Sequence, residues 1–211
     1  MLQSVDFDIE YLQGPVKSLH IGLAAIREGL PVKFLHDEEK KEIYPGMTLS
    51  RKSELVTSRF LQKKLAAKIG LSGDDFYIKK EASGKPVGYY NQKKYGVAIS
   101  HTKNVVAAAI NEAGDVGLDV ELKSRKTNPG IRERILNNGE INKLKEFQTL
   151  QLWTLKEAAL KLAGTGLRTG MRAISIEPIE NNNFQTEFNG KRITIHSYEL
   201  QHIWLAVCYF G

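Results

Sequence analysis

The chain has 211 residues, 42% of them hydrophobic and 26% charged, the make-up of a globular protein of one domain or two small ones. No apolar run approaches the roughly eighteen residues that span a bilayer, and the single cysteine, Cys208, excludes an internal disulfide and zinc sites built on Cys/His clusters. The net charge of +6 points to an anionic partner: nucleic acid, a phosphate-rich small molecule or an acidic protein.

The first eight residues, Met1 to Asp8, carry neither a basic stretch nor an apolar segment, so the expected location is the cytoplasm. Residues 16–26 read as a first strand and 37–41 as a short helix broken near Pro45-Gly46. Residues 50–69 form the best helix of the first half, with Leu55, Leu61, Leu65 and Ile69 at apolar positions and Gly70 as a stop. Strands are expected over 76–81, 96–101, 105–111 and 116–122. The turns between them are Ser83-Gly84-Lys85-Pro86, Thr102-Lys103-Asn104 and Glu112-Ala113-Gly114-Asp115. Beyond Asn128-Pro129-Gly130, helical patterns cover about 131–137, 140–146 and 149–163. Strands then follow at about 173–177, 183–188, 191–199 and 202–210, with Asn189-Gly190 a strong hairpin signal. Cys208 falls within an apolar strand pattern, as a small buried hydrophobe would. The expected fold class is α+β, each half holding a principal helix and several mainly antiparallel strands. The halves are 1–115 and 116–211, with no residue-level repeat between them.

Two acidic motifs carry the strongest chemical signal. In Gly117-Leu118-Asp119-Val120-Glu121, the apolar Leu118, Val120 and Leu122 alternate with two acids. A strand sends alternate side chains to opposite faces, so the two carboxylates share a face about 6.5–7 Å apart. About 35 residues later comes Trp153-Thr154-Leu155-Lys156-Glu157-Ala158-Ala159-Leu160-Lys161. Leu152, Leu155, Ala159 and Leu162 form the buried stripe of a helix, and Glu157 and Lys161 project side by side from roughly the opposite face. Gly164, Gly166 and Gly170 are expected to end that helix near residue 163. Three carboxylates on two elements suit an oxygen-loving Mg²⁺. Taken singly, an acid-lined strand is an ordinary solvated face and a Glu–Lys pair an ordinary surface pair.

Two further spots suit anions. The turn Ser83-Gly84-Lys85-Pro86 presents a lysine, and Ser100-His101-Thr102 places two hydroxyls around an imidazole. Gly84-Lys85-Pro86, Ile99-Ser100-His101-Thr102, the strand acids and Trp153-x-x-Lys156-Glu157-Ala158-x-x-Lys161 together resemble the 4′-phosphopantetheinyl transferases. The likeness spans about residues 30–170 and is to the longer, pseudo-dimeric type that activates peptide and polyketide synthases.

That resemblance implies a two-lobed, pseudo-twofold monomer with coenzyme A bound between the lobes. It assigns Asp119, Glu121 and Glu157 to a Mg²⁺ site where Mn²⁺ could substitute, with Glu157 also a candidate base. Lys161 would contact phosphate or assist proton transfer. Ser100 and His101 would bind coenzyme A phosphates, Lys85 would lie near the nucleotide, and Arg51 would be a nucleotide contact. Lys40 and Lys41 align only loosely. Ala98 stands where the family often has asparagine.

The implied activity is transfer of the phosphopantetheine arm to an acyl or peptidyl carrier protein, an acidic partner suited to a basic enzyme. The alternative is a catalytically silent coenzyme A-binding scaffold. A nucleic-acid-binding domain leaves the paired acids unexplained, and neither nucleic acid nor membrane is an expected partner.

Overall fold

The computed structural model describes residues 7–82, 84–165 and 169–211; Ser83 of the expected turn and Gly166 of the expected helix stop lie outside them. The chain divides into two compact units, Met1–Gly114 and Asp115–Gly211.

The first unit is an antiparallel six-stranded sheet under one long helix. Its strands are β1 (Glu10–Leu12), β2 (Leu19–Ala25), β3 (Tyr77–Lys80), β4 (Pro86–Tyr90), β5 (Lys93–Thr102) and β6 (Val105–Asn111), ordered β1-β2-β6-β5-β4-β3. A four-residue helix α1 (Asp37–Lys40) precedes the principal helix α2 (Leu49–Lys68). Thr48 caps α2, its hydroxyl accepting from the Arg51 N–H at 3.3 Å. Leu55, Leu61 and Leu65 are buried along it. At the far end Gly70 takes φ +84°, the Gly70 N–H bonds to Ala67 O and the Leu71 N–H to Ala66 O. That is a Schellman stop, in which glycine enters the left-handed region without steric cost.

The second unit repeats the plan. Its strands are β7 (Val116–Leu122), β8 (Glu177–Pro178), β9 (Asn183–Phe188), β10 (Lys191–Glu199) and β11 (Ile203–Phe210), all antiparallel in the order β7-β11-β10-β9-β8. Short helices α3 (Ile131–Ile135) and α4 (Asn138–Ile141) precede the principal helix α5 (Thr149–Leu162). The α5 stripe Leu152, Leu155, Ala159 and Leu162 is buried against Ile193, Ile195, Ala206 and Cys208 of the sheet. The β9–β10 hairpin turns at Asn189 and Gly190, both at positive φ, as the two-residue turn requires.

A shared polar clamp fixes each principal helix. In the first unit Lys63 of α2 is buried, donates to the Phe76 carbonyl and lies 3.4 Å from Glu39. Glu39 completes the α1 capping box at the His36 N–H and accepts from the Ile78 N–H at 3.0 Å. In the second unit Lys156 of α5 is buried, donates to the Ile174 carbonyl at 2.8 Å and pairs with Glu140 at 2.6 Å. Glu140 completes the α4 capping box at the Asn137 N–H and accepts from the Ile176 N–H at 2.8 Å. Phe76 and Ile78 thus meet the first clamp through the same backbone groups by which Ile174 and Ile176 meet the second.

Some expected elements differ. Over 173–177 the chain forms a 3₁₀ turn (Met171–Ala173) and then only the two-residue β8. The backbone groups of Ile174 and Ile176 are held by Lys156 and Glu140 rather than by a neighbouring strand. The helix expected over 140–146 ends at Ile141, and the Arg132 guanidinium takes the carbonyls of Leu144 and Phe147. Strand β4 was masked by Pro86, which is tolerated as a first strand residue.

Replacing Glu140 with alanine strands the Lys156 ammonium in the core. Equilibrium urea unfolding should show a loss of about 3–5 kcal/mol, the usual cost of an uncompensated buried charge. A loss under about 1 kcal/mol would show the clamp to be dispensable.

Candidate active site

The two acidic motifs meet on one face of the second unit. Along β7, Gly117, Asp119 and Glu121 share the face toward α5, and a Cβ on Gly117 would lie 2.2 Å from the Ala158 carbonyl oxygen. Only glycine lets the helix backbone approach so near. That approach brings α5 side chains to the strand: Lys161 Nζ donates to Asp119 Oδ1 at 2.7 Å. Asp119 and Glu121 are 4% and 9% exposed, so this is no solvated strand face. Leu118 and Val120, on the opposite face, are buried as well.

Glu157 is the perturbed member of the group. Its carboxyl is pushed above its ordinary value, first by burial and next by the negative charge of Asp119, with Glu121 adding to the effect. Lys161 and Arg125 oppose the shift. Glu157 Oε2 is buried without a hydrogen-bond partner. Arg125, in the turn after β7, donates to Glu121 and lies over the Trp153 ring, 5.2 Å from its centroid.

Two strand carboxylates whose charges reach Glu157, and a buried Glu157 oxygen lacking a donor, suit a hard divalent cation. Among the described residues, however, no group of three or more acids, histidines or cysteines has the geometry of a metal site. The positive charge that the acids need comes here from Lys161 and Arg125.

The expected anion-binding residues other than Lys161 lie in the first unit, where two of them converge. Glu54 receives the Arg51 guanidinium at 3.0 Å and stands 3.3 Å from His101 Nε2. These three residues line a cavity of about 190 Å³ with Arg59, Lys80 and Pro86. Ser100 is buried, and strand alternation turns it to the sheet face opposite His101. Lys85 sits in the turn closed by the Glu81 N–H to Lys85 carbonyl bond at 2.9 Å and does not line the cavity. Lys40 and Lys41 form ion pairs on α1 with Asp37 and Glu38.

Reading the sequence missed Arg125, Glu54 and Glu140. Glu54 has a local signal, three residues after Arg51 on a helix. Glu140 has one too, at the third helical position after Asn137. Arg125 has none, because its partners come from β7 and α5.

The raised Glu157 pKa fixes the sign of a stability effect. The folded state favours the protonated carboxyl, so stability falls as pH rises from the ordinary value of 4.5 toward the folded one. Glu157→Gln should therefore raise Tm at neutral pH, and the gain should vanish as the pH is lowered to about 4. Differential scanning fluorimetry across that range checks it; a gain equally large in acid contradicts the assignment.

Residues 115–208 match the family model described as the 4′-phosphopantetheinyl transferase superfamily. The match contains Asp119, Glu121, Arg125, Glu157 and Lys161, and it lies wholly within the second unit. No curated protein matches the chain. The second unit is thus similar to the 4′-phosphopantetheinyl transferases, and that superfamily is the one the comparisons support for this chain.

Proposed function

We propose that the chain transfers the 4′-phosphopantetheine arm of coenzyme A to a serine of an apo acyl or peptidyl carrier protein. The observation that carries this is the coupled set Asp119, Glu121, Glu157 and Lys161 inside the segment that matches the superfamily. The reading includes the longer, pseudo-dimeric type, supported by the clamp that recurs in the two units.

In this reaction the serine oxygen bonds to the β-phosphorus of coenzyme A. The bond from that phosphorus to the bridging oxygen breaks, and adenosine 3′,5′-bisphosphate leaves. Glu157 accepts the serine proton, and burial beside Asp119, which raises its pKa, makes it a stronger base than an ordinary carboxylate. Lys161 donates to a phosphate oxygen and stabilises the charge that develops there. Asp119, Glu121 and Glu157 would hold Mg²⁺, or Mn²⁺ in its place, and the bound ion would neutralise the pyrophosphate oxygens. Arg51 and His101 are the proposed contacts for the anionic groups of coenzyme A, with Ser100 and Lys85 assigned by resemblance alone. The net charge of +6 favours an acidic carrier, and the proposed setting is the cytoplasm, the chain acting as a monomer. No helix among the described residues is long and apolar enough to cross a membrane.

A silent coenzyme A-binding scaffold is the second reading. It is favoured by the pairing of Asp119 and Glu121 with side-chain cations. Incubation with coenzyme A, Mg²⁺ and a panel of apo carriers, followed by intact mass measurement, separates the two. Transfer predicts a gain of one phosphopantetheine arm on the carrier, whereas binding of coenzyme A with no gain on any carrier supports the scaffold. Asp119→Ala should lower turnover by at least about 100-fold, as loss of a transition-state charge partner does, with an unchanged circular dichroism spectrum. Turnover near the starting level would remove Asp119 from the site.

A further inference from the structure

The proposed chemistry leaves Arg125 without a task, yet it holds one of the three acids. It follows β7 in a tight turn, where its N–H bonds to the Leu122 carbonyl at 2.9 Å. Its guanidinium donates to Glu121, lies over the Trp153 ring at 5.2 Å and lowers the energy of the ionised Glu157. Lys123, two residues earlier, is turned instead to Glu199 at 2.8 Å and to the Trp204 ring. Arg125 therefore supplies the cationic charge on the Glu121 side of the acid cluster, as Lys161 does at Asp119.

We propose that Arg125 is a built-in counter-cation that competes with a divalent ion for Glu121 and must be displaced when that ion binds. The inference rests on reading the acids as a divalent-cation site. Its physical basis is charge. Two nearly buried carboxylates lie beside the half-buried Glu157, whose charge they disfavour, and an opposite charge among them offsets the repulsion. A guanidinium meets that need in the resting protein, and a divalent ion meets it when bound. The two cannot both take the same Glu121 oxygens at full strength.

Arg125 is built to let go. Its side chain is 43% exposed, so the guanidinium can pass from Glu121 to solvent, and an arriving ion would take its place beside the 12% exposed carboxylate. The Trp153 face gives the guanidinium a second resting contact that does not depend on Glu121. Lys161, by contrast, is placed in the proposed chemistry and is held to the 4% exposed Asp119.

Titration of the full chain with Mn²⁺ alone, followed by calorimetry or by the electron paramagnetic resonance of free Mn²⁺, tests this without substrate or turnover. Arg125→Ala should bind Mn²⁺ about two- to fivefold more tightly, the span expected from removing a half-exposed ion pair. Arg125→Gln should do the same and serves if the alanine variant melts early. Lys126→Ala removes the same charge from an exposed neighbouring position and should change affinity less. In a Glu121→Gln background the Arg125→Ala gain should disappear, because the two residues act as one unit.

Unchanged or weaker Mn²⁺ binding by both Arg125 variants overturns the inference, as does an equal gain from Lys126→Ala. In either case, Mn²⁺ binding that Asp119→Ala abolishes leaves the functional reading standing. If no Mn²⁺ binding depends on Asp119, the metal site fails and the inference fails with it.

Discussion

Each unit hangs on a lysine in the wrong place. Lys63 and Lys156 sit on the buried sides of their helices, where burial disfavours the charged ammonium. What makes this tolerable is one glutamate per unit that does three jobs at once. It pairs with the ammonium, closes a short helix and accepts the N–H of an extended segment at the far edge of the sheet. Helix, cap and edge segment are therefore fixed together, and none can shift without uncovering an unpaired polar group. This clamp orients α5, and so decides which of its side chains look toward β7.

Orientation alone would not bring the acids together. The missing side chain at Gly117 brings α5 down onto β7, so that Lys161 reaches Asp119 and Glu157 feels the charges of both strand carboxylates. Such a cluster is costly in a folded protein. Its persistence, with one carboxyl pushed toward the neutral form, is what supports the proposed chemistry at this place.

The parts of this arrangement governed by local rules were legible in the sequence. The α2 stop at Gly70, the Asn189-Gly190 hairpin, the α5 stripe and the shared face of Asp119 and Glu121 all follow from spacing and backbone preference. The segment 173–177 was misread as a strand because its apolar residues are buried by a clamp, and the clamp joins residues far apart in sequence. Ser100 and His101 looked like one donor set by adjacency, but alternation along β5 puts them on opposite faces. Lys156 looked like part of an active-site motif and is a structural residue of the core.

The likeness of the two units stops at the acids. In the first unit Ala108 of β6 pairs with Gly22, and in the second Ala206 of β11 pairs with Asp119. Two residues further along each of these strands stand Ala24 and Glu121. A Lys–Glu clamp occurs in each unit, and the strand carboxylates only in the second. The first unit is relieved of the electrostatic burden of the second, and its strand β2 is left with small, uncharged side chains at those two positions. One principal helix therefore packs on a strand free of acids at these positions, and the other on a strand that carries two.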